Sequence, residues 1–571
     1  MPIADSDLPP YPLNEVLAKP FPERMRLVCR MWALQITATP FSVVVLYWVK
    51  YGLIFFGGWA FFCSFSDPYP GFLSIGKWAF SAIAFQKAIL WALFYESSGL
   101  GCSSGPMNAR FWPPMAGFLH FLRPGTTKLP LFPGLPIVGG IRRTWLDVAL
   151  YAANMFLLLR ALVAPELSFE LLLPSFILIP LLGILDKTLF LAARAEHFWI
   201  VLACMTFGRG AGAAAEVWIA GSMIVWCFIW FWAATSKLNH HFPSVIMVMM
   251  NQGPFFPAWL KKRLFVSFPD DLRPSKMATW MAHMGTVVEM SIPFALLSSE
   301  SAIFTAAVLL VMTGFHGFIA LNNPSGMPVE WNIIMIYGGI FLFGFNPDTS
   351  VLAIAEVPLL AGFLAVFLIA IPLYGNFVPK HVSFLMAMRY YAGNWAYSVW
   401  FFRGESQKKL NKLTKAAVTM REQLEGMLDD SEAVDTAMMM MPSIRLMHLQ
   451  GKVLHGTIPL ALGDAGDVDD YEWMEGEVVA GLALGWNFGD GHLNDMQLLE
   501  AIQEQCGFEP GELRVIMVES QPLFGRTMSW KIADAATGLR EQGETEIAPL
   551  REYQAWPTGA MAEAFTRDSH D

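Results

Sequence analysis

Over its first 375 residues the chain alternates long apolar stretches with shorter polar segments. Ten of these stretches approach the roughly 20 residues that a helix needs to cross about 30 Å of hydrocarbon. They lie at 41–63, 76–95, 145–164, 171–193, 197–208, 212–235, 277–298, 301–321, 330–346 and 350–373. The stretch 197–208 is short, so it either spans with a mismatch or re-enters the membrane. The pattern predicts an all-α polytopic membrane domain of about ten transmembrane helices.

A different pattern begins after residue 375. Residues 384–402 are amphipathic and predict a segment along the lipid headgroups, and a polar helix is predicted from about Ser406 to Leu428. Alternation and β-branched residues then predict strands in IRLMHLQ, GKVLHGTIPLAL, GEVVAGLALGW, LRVIMVES and MSWKIAD. A further helix is predicted over Asp495–Gln505. These elements predict a C-terminal α+β soluble domain.

The distribution of basic residues predicts the orientation of the chain. Lys and Arg are concentrated before Phe41 and in the 98–144 and 236–276 segments, and they are absent from 64–74, 165–170, 299–300 and 347–349. Ten spans place every basic segment and both termini on one side, which the positive-inside rule makes cytoplasmic. We therefore expect a multi-pass protein of the cytoplasmic (inner) membrane. Its predicted parts are a cytoplasmic N-terminal segment 1–40, a transmembrane helical domain 41–375, amphipathic and linker helices 376–440, and a cytoplasmic α+β domain 441–571.

Composition supports this class and argues against several others. The chain is 55% hydrophobic and only 15% charged, whereas soluble domains carry about a quarter charged residues. Its six cysteines lack the spacing of a zinc site or a disulfide scaffold, so we expect no metal. There is no basic stripe or nucleic-acid motif, so we expect a lipid bilayer rather than a nucleic acid as the partner.

Ionisable side chains within or beside the predicted spans are the strongest candidates for chemistry, because placing them in a membrane is costly. The segment between residues 230 and 320 carries Lys237, His240, His241, His283, Glu289 and His316. A lysine among apolar and aromatic side chains is disfavoured in its charged form, and a neutral amine can act as a general base. Histidines nearby can relay protons or orient a substrate oxygen, and a glutamate can hold one tautomer.

A purely structural role for the same residues is the alternative. A lysine at a helix end commonly reaches the headgroups, loop histidines beside a proline are often on the surface, and a buried glutamate can hold helices in register. Three further residues are candidates for binding a substrate, namely Trp232 in a Trp-rich helix, Asn251 in a segment that dips back toward the membrane, and Glu330 at the start of a later span. An acid at a helix start such as Glu330 is also common for dipole reasons.

The motifs of this region resemble those of a known superfamily. The run SKLNHHFP followed by NQGPFFP looks like the segment around the catalytic lysine of the vitamin K-dependent gamma-carboxylase superfamily, also called the horizontally transferred transmembrane domain. His283-Met-Gly-x-x-x-Glu289 and Phe315-His316 are similar to two later motifs of that superfamily. The resemblance covers about 190–330. It implies that Lys237 is the base, that His316 is an active-site histidine, and that the site is quinol-like or oxygen-using.

A second resemblance covers nearly the whole chain. The runs ESSGLGCSSGPMNARFWPP, SKLNHHFP, PVEWNI and GWNFGDGHLND, and the run LLEAIQEQCGFEPGELRVIMVESQP, look like a multi-pass bacterial membrane family catalogued as domain of unknown function 3556. This resemblance implies an architecture but no activity.

Two functions from different classes follow from these observations. The first is a carboxylase-like membrane enzyme that acts on an apolar or quinol-like substrate from the bilayer, with Lys237 as base and His316, His283 and Glu289 assisting. A quinol is the one cofactor that this hypothesis suggests. The second is a non-catalytic cell-envelope scaffold or lipid-handling protein that recruits a cytosolic protein through its C-terminal domain. This second function does not need Lys237.

Overall fold

The computed structural model is mostly helical and has a β-sheet in its C-terminal region. It describes residues 12–34, 45, 48–101, 116–136, 138–192, 195–322, 329–382, 392–426, 428, 430–486 and 491–556. The helices up to residue 377 are α1 Leu13–Leu17, α2 Phe21–Ala33, α3 Gly57–Cys63, α4 Ile75–Trp78, α5 Ala82–Ser97, α6 Ala116–Phe121, α7 Trp145–Val163, α8 Phe169–Leu185, α9 Lys187–Ala192, α10 Ala195–Gly210, α11 Ala215–Ser236, α12 Phe242–Gln252, α13 Ala258–Arg263, α14 Lys276–Leu297, α15 Ala302–Ala320, α16 Val329–Gly339, α17 Pro358–Leu364 and α18 Ile371–Phe377. Wider π-helical turns lie at Lys50–Phe56, Ile340–Gly344 and Ala365–Ala370, and 3₁₀ turns lie at Phe72–Ser74 and Val351–Glu356.

Fewer helices can cross a membrane than the sequence predicts. Among the described residues, 4 helices are long and apolar enough, namely Trp145–Val163, Ala215–Ser236, Ala302–Ala320 and Pro358–Phe377. A fifth span results if Phe72–Trp78 and Ala82–Ser97, which are bent by 110° to each other, count as one. The prediction of about ten transmembrane helices is therefore wrong.

The remaining predicted spans fail for separate physical reasons. Helix α8 has 17 residues, and at 1.5 Å per residue it covers about 25 Å, which is less than the hydrocarbon thickness. Helix α10, predicted at 197–208, has 16 residues and is buried along most of its length by other helices. Helix α14 is long enough at 22 residues, but its polar side chains lower its hydropathy. Most of residues 35–47 lie outside the described residues, so the stretch 41–63 is described only in part.

Helix α11 occupies the centre of the helical bundle. Of its most apolar window, 83% is buried inside the protein, compared with 22% for α15. Helices α10, α14 and α16 pack around it. Its tryptophans bond to this surrounding layer, and the indole of Trp226 donates to the carbonyl oxygen of Met335 at 3.2 Å. A side chain at the end of α11 is therefore surrounded by protein.

The C-terminal region forms a five-stranded antiparallel sheet in the order β4-β3-β5-β6-β7. Its strands are β3 Tyr397–Arg403, β4 Tyr471–Glu475, β5 Leu513–Val518, β6 Thr527–Asp534 and β7 Gly538–Glu546, whereas β1 Phe265–Ser267 and β2 Asp271–Pro274 form a separate hairpin before α14. The helices of this region are α19 Met420–Glu425, α20 Ser431–Leu446, α21 Leu449–Leu462, α22 Gly476–Leu484, α23 Met496–Cys506 and α24 Ile547–Leu550. Shorter 3₁₀ turns lie at Ser406–Lys412, Val468–Asp470 and Gly491–Leu493.

Only part of the predicted secondary structure of this region is confirmed. The strands predicted in LRVIMVES and MSWKIAD correspond to β5 and β6, and the helix predicted at Asp495–Gln505 corresponds to α23. The strands predicted in IRLMHLQ, GKVLHGTIPLAL and GEVVAGLALGW are wrong, because these runs lie in or beside α20, α21 and α22. Short apolar runs that are buried on all sides do not distinguish helix from strand. The polar helix predicted over 406–428 is two separate short helices.

The sheet also takes a strand from a segment that the sequence assigns to the headgroups. Residues 397–402 of the predicted amphipathic stretch belong to β3, which pairs with β4 and β5. They are buried on both faces of the sheet rather than on one. Residues 383–391 lie outside the described residues. The division into parts at residues 375 and 440 stays a prediction.

Candidate functional site

Lys237 lies directly after α11, where a tight turn reverses the chain. The backbone N–H of Lys237 donates to the carbonyl oxygen of Ala234 at 3.0 Å, which closes the last helical turn. The Asn239 side chain then accepts a hydrogen bond from the N–H of His241 at 2.7 Å, as asparagine commonly does in turns. Helix α12 starts at Phe242 with Pro243 in its first turn, a position that proline favours. The SKLNHHFP run thus encodes the turn that holds Lys237.

The ammonium of Lys237 is buried and paired with a carboxylate. Its side chain donates to Glu289 of α14, and Lys237 is 7% exposed and Glu289 4% exposed. Glu289 lies on the buried stripe of α14 that faces α11. The amine also lies 5.0 Å from the centre of the Phe242 ring and 5.7 Å from that of Phe315. A counter-ion and two aromatic faces therefore stabilise the charged amine away from bulk water.

His316 lies beside this pair in a fixed orientation. It is on α15, next to Phe315, and is buried. The indole N–H of Trp230 donates to its Nε2 at 2.9 Å, and its Nδ1 lies 2.8 Å from Oδ1 of Asn332. Because Nε2 accepts, Nδ1 must carry the proton and donate to the amide oxygen. The imidazole is therefore neutral in this arrangement, and both of its nitrogens are in use.

A cavity of about 870 Å³ opens beside Lys237, between the helical bundle and the C-terminal sheet. The helical bundle contributes Lys237, Leu238, Asn239, His240, Pro243, Ser244, Thr279 and His283, and the β1–β2 hairpin contributes Val266, Arg273 and Pro274. The C-terminal region contributes Leu449, Lys452, Gln521, Phe524, Gly525, Arg526, Arg551 and Glu552. A volume of this size accommodates a small molecule. The structure therefore brings Lys237, His240 and His283 to one cavity, with Glu289 directly behind Lys237.

His241 connects the two regions rather than lining the cavity. Its Nε2 lies 2.9 Å from Oε1 of Gln521, in the loop between β5 and β6, and the ring is fully buried. The same loop is tied to the end of α18, since the N–H of Leu523 donates to the carbonyl oxygen of Asn376 at 2.7 Å. The loop that forms one wall of the cavity is thus fixed to the bundle at two points.

Three other predicted residues lie apart from the cavity. The indole of Trp232 donates to the carbonyl oxygen of Leu368 at 2.7 Å, within the last candidate span. The amide of Asn251 donates to the carbonyl oxygen of Ala33 at 3.4 Å, which links α12 to the N-terminal helix α2. Glu330 is buried in the first turn of α16. None of the three is among the described residues that line the cavity.

Comparison with known proteins identifies the family. A family model described as a transmembrane protein of unknown function (DUF3556) matches residues 1–565. The chain belongs to this family. The DUF3556 protein gives no significant match to a curated protein or to a solved structure. Membrane character is therefore shown by both the family and the apolar helices, whereas the carboxylase-like resemblance of residues 190–330 is not shown by these comparisons.

Several residues in and near the cavity of the DUF3556 protein could not be predicted from the sequence. Lys452, Arg526 and Arg551 come from segments more than 200 positions after Lys237, and no local pattern connects them to it. Asn332, which orients His316, lies two positions after Glu330 and carries no signal of its own. Lys452 alone has a usable signal, because it is an isolated lysine in the apolar run GKVLHG.

Burial changes the protonation of the titratable groups around the cavity. Desolvation, together with the nearby charge of Arg273, lowers the pKa of Lys452 to about 7. Desolvation, Arg551 and His283 lower the pKa of His240 below its ordinary value. Burial lowers the pKa of His241 to about 4, so its ring is neutral near pH 7. Within the described part of the chain, no group of three His, Cys, Asp or Glu residues could hold a metal ion.

Proposed function

We propose that this DUF3556 protein is a membrane enzyme that acts by proton transfer on an apolar or quinol-like substrate, with Lys237 as the base. The observation that carries the proposal is the buried Lys237–Glu289 pair beside a cavity of about 870 Å³. Its supporting groups are His283 and His240 in the cavity wall and His316 behind the pair. The motifs of residues 190–330 that resemble the vitamin K-dependent carboxylase superfamily agree with the same role for Lys237.

A buried pair of this kind can supply a neutral amine. Transfer of one proton from the Lys237 ammonium to the Glu289 carboxylate gives an amine and a carboxylic acid, with no net charge created. Both side chains are buried, so this transfer would remove two charges from a site with little access to water. The amine can then take a proton from a substrate O–H or C–H group, which leaves a substrate anion beside the regenerated ammonium.

The position of the cavity fits a substrate that arrives from the bilayer. Thr279 and His283 of its wall lie on α14, and this helix also presents exposed Trp280, Met284 and Val287. Although α14 is not among the candidate spans, we infer that its exposed apolar side chains lie against lipid. An apolar molecule moving along this surface of α14 would reach the cavity at His283. With the four candidate spans, the segment before residue 145, the 237–301 segment and the C-terminal region share one side. The basic residues of the first two favour the cytoplasmic side of the inner membrane for this end of the spans.

Turnover by the purified protein tests this proposal. The wild-type protein and Lys237→Met would be placed in lipid nanodiscs, incubated with a membrane lipid and quinone extract, and compared by mass spectrometry. We expect the wild type to convert at least one apolar species that Lys237→Met leaves unchanged. Lys276→Met, which removes an exposed lysine at the start of α14, is the matched control and should behave as the wild type.

The same experiment separates the proposed enzyme from the non-catalytic alternative. A lipid-handling protein would retain an apolar molecule in the cavity without changing it, and its binding would not depend on Lys237. If the wild type and Lys237→Met convert the same species at the same rate, Lys237 is not the base. If neither protein changes any species and both retain one, the lipid-handling function replaces the proposed one.

A further inference from the structure

The cavity is strongly basic in a protein that is acidic overall. The chain has a formal net charge of −10, yet the charged residues that line the cavity within the described part of the chain are Lys237, Arg273, Lys452, Arg526 and Arg551, opposed by Glu552. Glu289 and Asp271 approach two of these cations from outside the lining. Even with both included, five cations face three carboxylates. The cavity therefore favours an anion.

The excess positive charge is concentrated on the side formed by the C-terminal region. Lys237 is neutralised by Glu289, and Arg273 by Asp271 at 2.6 Å and Glu552 at 3.1 Å. Lys452 is 3% exposed and donates to the backbone carbonyl oxygen of Leu550 at 2.8 Å rather than to a carboxylate.

Two exposed arginines extend this positive side. Arg526 and Arg551 have no ion pair with an acidic residue in the part of the chain that the structure describes. Their charges, with that of Lys452, are thus left for a ligand.

Positive groups around the cavity also act unfavourably on one another. The charge of Arg273 opposes that of Lys452, and those of Arg551 and His283 oppose protonation of His240. Folding brings these groups together although their mutual repulsion destabilises the folded state. A bound anion would remove the repulsion and would receive charge-assisted hydrogen bonds from lysine and guanidinium groups.

Part of the mouth of the cavity is apolar and lies beside the exposed arginines. Leu238, Val266 and Phe524 line it with exposed side chains, and Phe524 is 74% exposed. Phe524 is also the non-glycine residue with a positive φ, 59°, within the described residues. A bulky residue in this conformation is strained, and such strain is concentrated at functional sites. The loop holds an aromatic ring at the edge of the cavity that Thr279 and His283 of α14 also line.

We infer that the ligand of this cavity is an amphiphile, in which a phosphate or carboxylate group lies among Lys452, Arg526 and Arg551 and an apolar chain passes Phe524 toward the bilayer. The inference rests on the proposed function, because it takes the substrate cavity to be the same, and it narrows the substrate class. A plain quinol would leave the basic side of the cavity without a partner. An anionic head group uses the basic side and the apolar mouth together.

Binding of three probes to the protein in a non-ionic detergent tests the inference. Dodecyl phosphate carries both features, dodecanol lacks the charge, and inorganic phosphate lacks the chain. We expect dodecyl phosphate to bind saturably and about tenfold or more tightly than either of the others. Arg526→Gln combined with Arg551→Gln should weaken dodecyl phosphate binding by about tenfold or more, since it removes two charge-assisted contacts. Arg540→Gln, which alters an exposed arginine paired with Asp464, should leave binding unchanged.

Each result decides the inference. Equal binding of dodecanol and dodecyl phosphate, or unchanged binding by the Arg526/Arg551 variant, would overturn the anionic head group. Equal binding of inorganic phosphate would overturn the amphiphile and leave a free anion as ligand. Lys237→Met should keep dodecyl phosphate binding while losing turnover. Binding without any Lys237-dependent turnover rejects the proposed base alone, and Lys237-dependent turnover without selective binding rejects the anionic head group alone.

Discussion

Breaking the Lys237–Glu289 pair should destabilise the protein strongly, and removing both charges should not. At a separation near 4 Å two unit charges interact by about 1 kcal/mol in water and about 4 kcal/mol at the effective dielectric constant of a protein site. The side chains are 6% and 5% exposed, so the higher value applies. Lys237→Met leaves the Glu289 carboxylate buried without its partner and should lower the free energy of unfolding by about 3–5 kcal/mol.

The double variant provides the decisive comparison. Lys237→Met combined with Glu289→Leu removes both buried charges, and apolar replacement of a buried pair is often close to neutral. We expect its free energy of unfolding to lie within about 2 kcal/mol of the wild type, well above that of either single variant. The assay is reversible unfolding in mixed micelles of non-ionic and ionic detergent, followed by tryptophan fluorescence.

Two results of this assay would show that Lys237 and Glu289 do not form a buried ion pair. A loss below about 1 kcal/mol for Lys237→Met would place the amine in a setting that resembles water. The second result is additivity. If the double variant loses as much free energy of unfolding as the two single variants lose together, the two side chains do not interact. Lys276→Met, at the exposed start of the same helix that carries Glu289, should change the free energy of unfolding by about 0.5 kcal/mol or less.

Three further outcomes are expected. Asn332→Leu leaves the Nδ1–H of His316 buried without an acceptor and should lower the free energy of unfolding by about 1–3 kcal/mol in the same assay. An unchanged free energy of unfolding would contradict a proton on Nδ1. Binding of dodecanoate should weaken as the pH rises from about 6 to 9, because the amine of Lys452, with a pKa of about 7, is charged below this value and neutral above it. Lys452→Met should flatten that pH profile, and an identical profile would exclude this amine. Gln521→Ala removes the hydrogen bond to His241 and should speed limited proteolysis of the loop between β5 and β6, whereas equal cleavage rates would show that the contact does not hold the loop.

The apolar pattern of the sequence correctly predicts where the helices lie, but it overestimates how many of them cross the membrane. Nearly every apolar stretch before residue 375 is helical where the structure describes it. Apolarity alone does not distinguish a helix that faces lipid from one enclosed by protein, and α10 is the clear example, since it is apolar and buried within the bundle. The same ambiguity explains the error in the C-terminal region, where α21 and α22 are buried on all sides and resemble buried strands in their composition.

The candidate site is predictable only where its residues are close in sequence. The SKLNHHFP turn places Lys237. Glu289 is predicted to hold a histidine tautomer, but in the structure it pairs with Lys237, 52 positions away in the sequence. The basic side of the cavity depends on the fold instead, because Lys452 and Arg526 reach the cavity from α21 and from the loop between β5 and β6. His241 is close to Lys237 in the sequence and is predicted to bind the substrate. In the structure its ring is instead hydrogen-bonded to Gln521 of the C-terminal region.

Mass spectrometry of small molecules that the protein retains during purification in non-ionic detergent is the sharpest test of Lys237 as a base that acts on a bound amphiphile. We predict that the wild type and Lys237→Met both hold an amphiphile with one anionic group, and that only the wild type also holds a chemically altered form of it. Retention of the same species in the same ratio by both proteins would contradict a catalytic role for Lys237. Retention of nothing beyond detergent and of no anionic amphiphile enriched over its proportion in the membrane lipids would contradict the cavity as a substrate site.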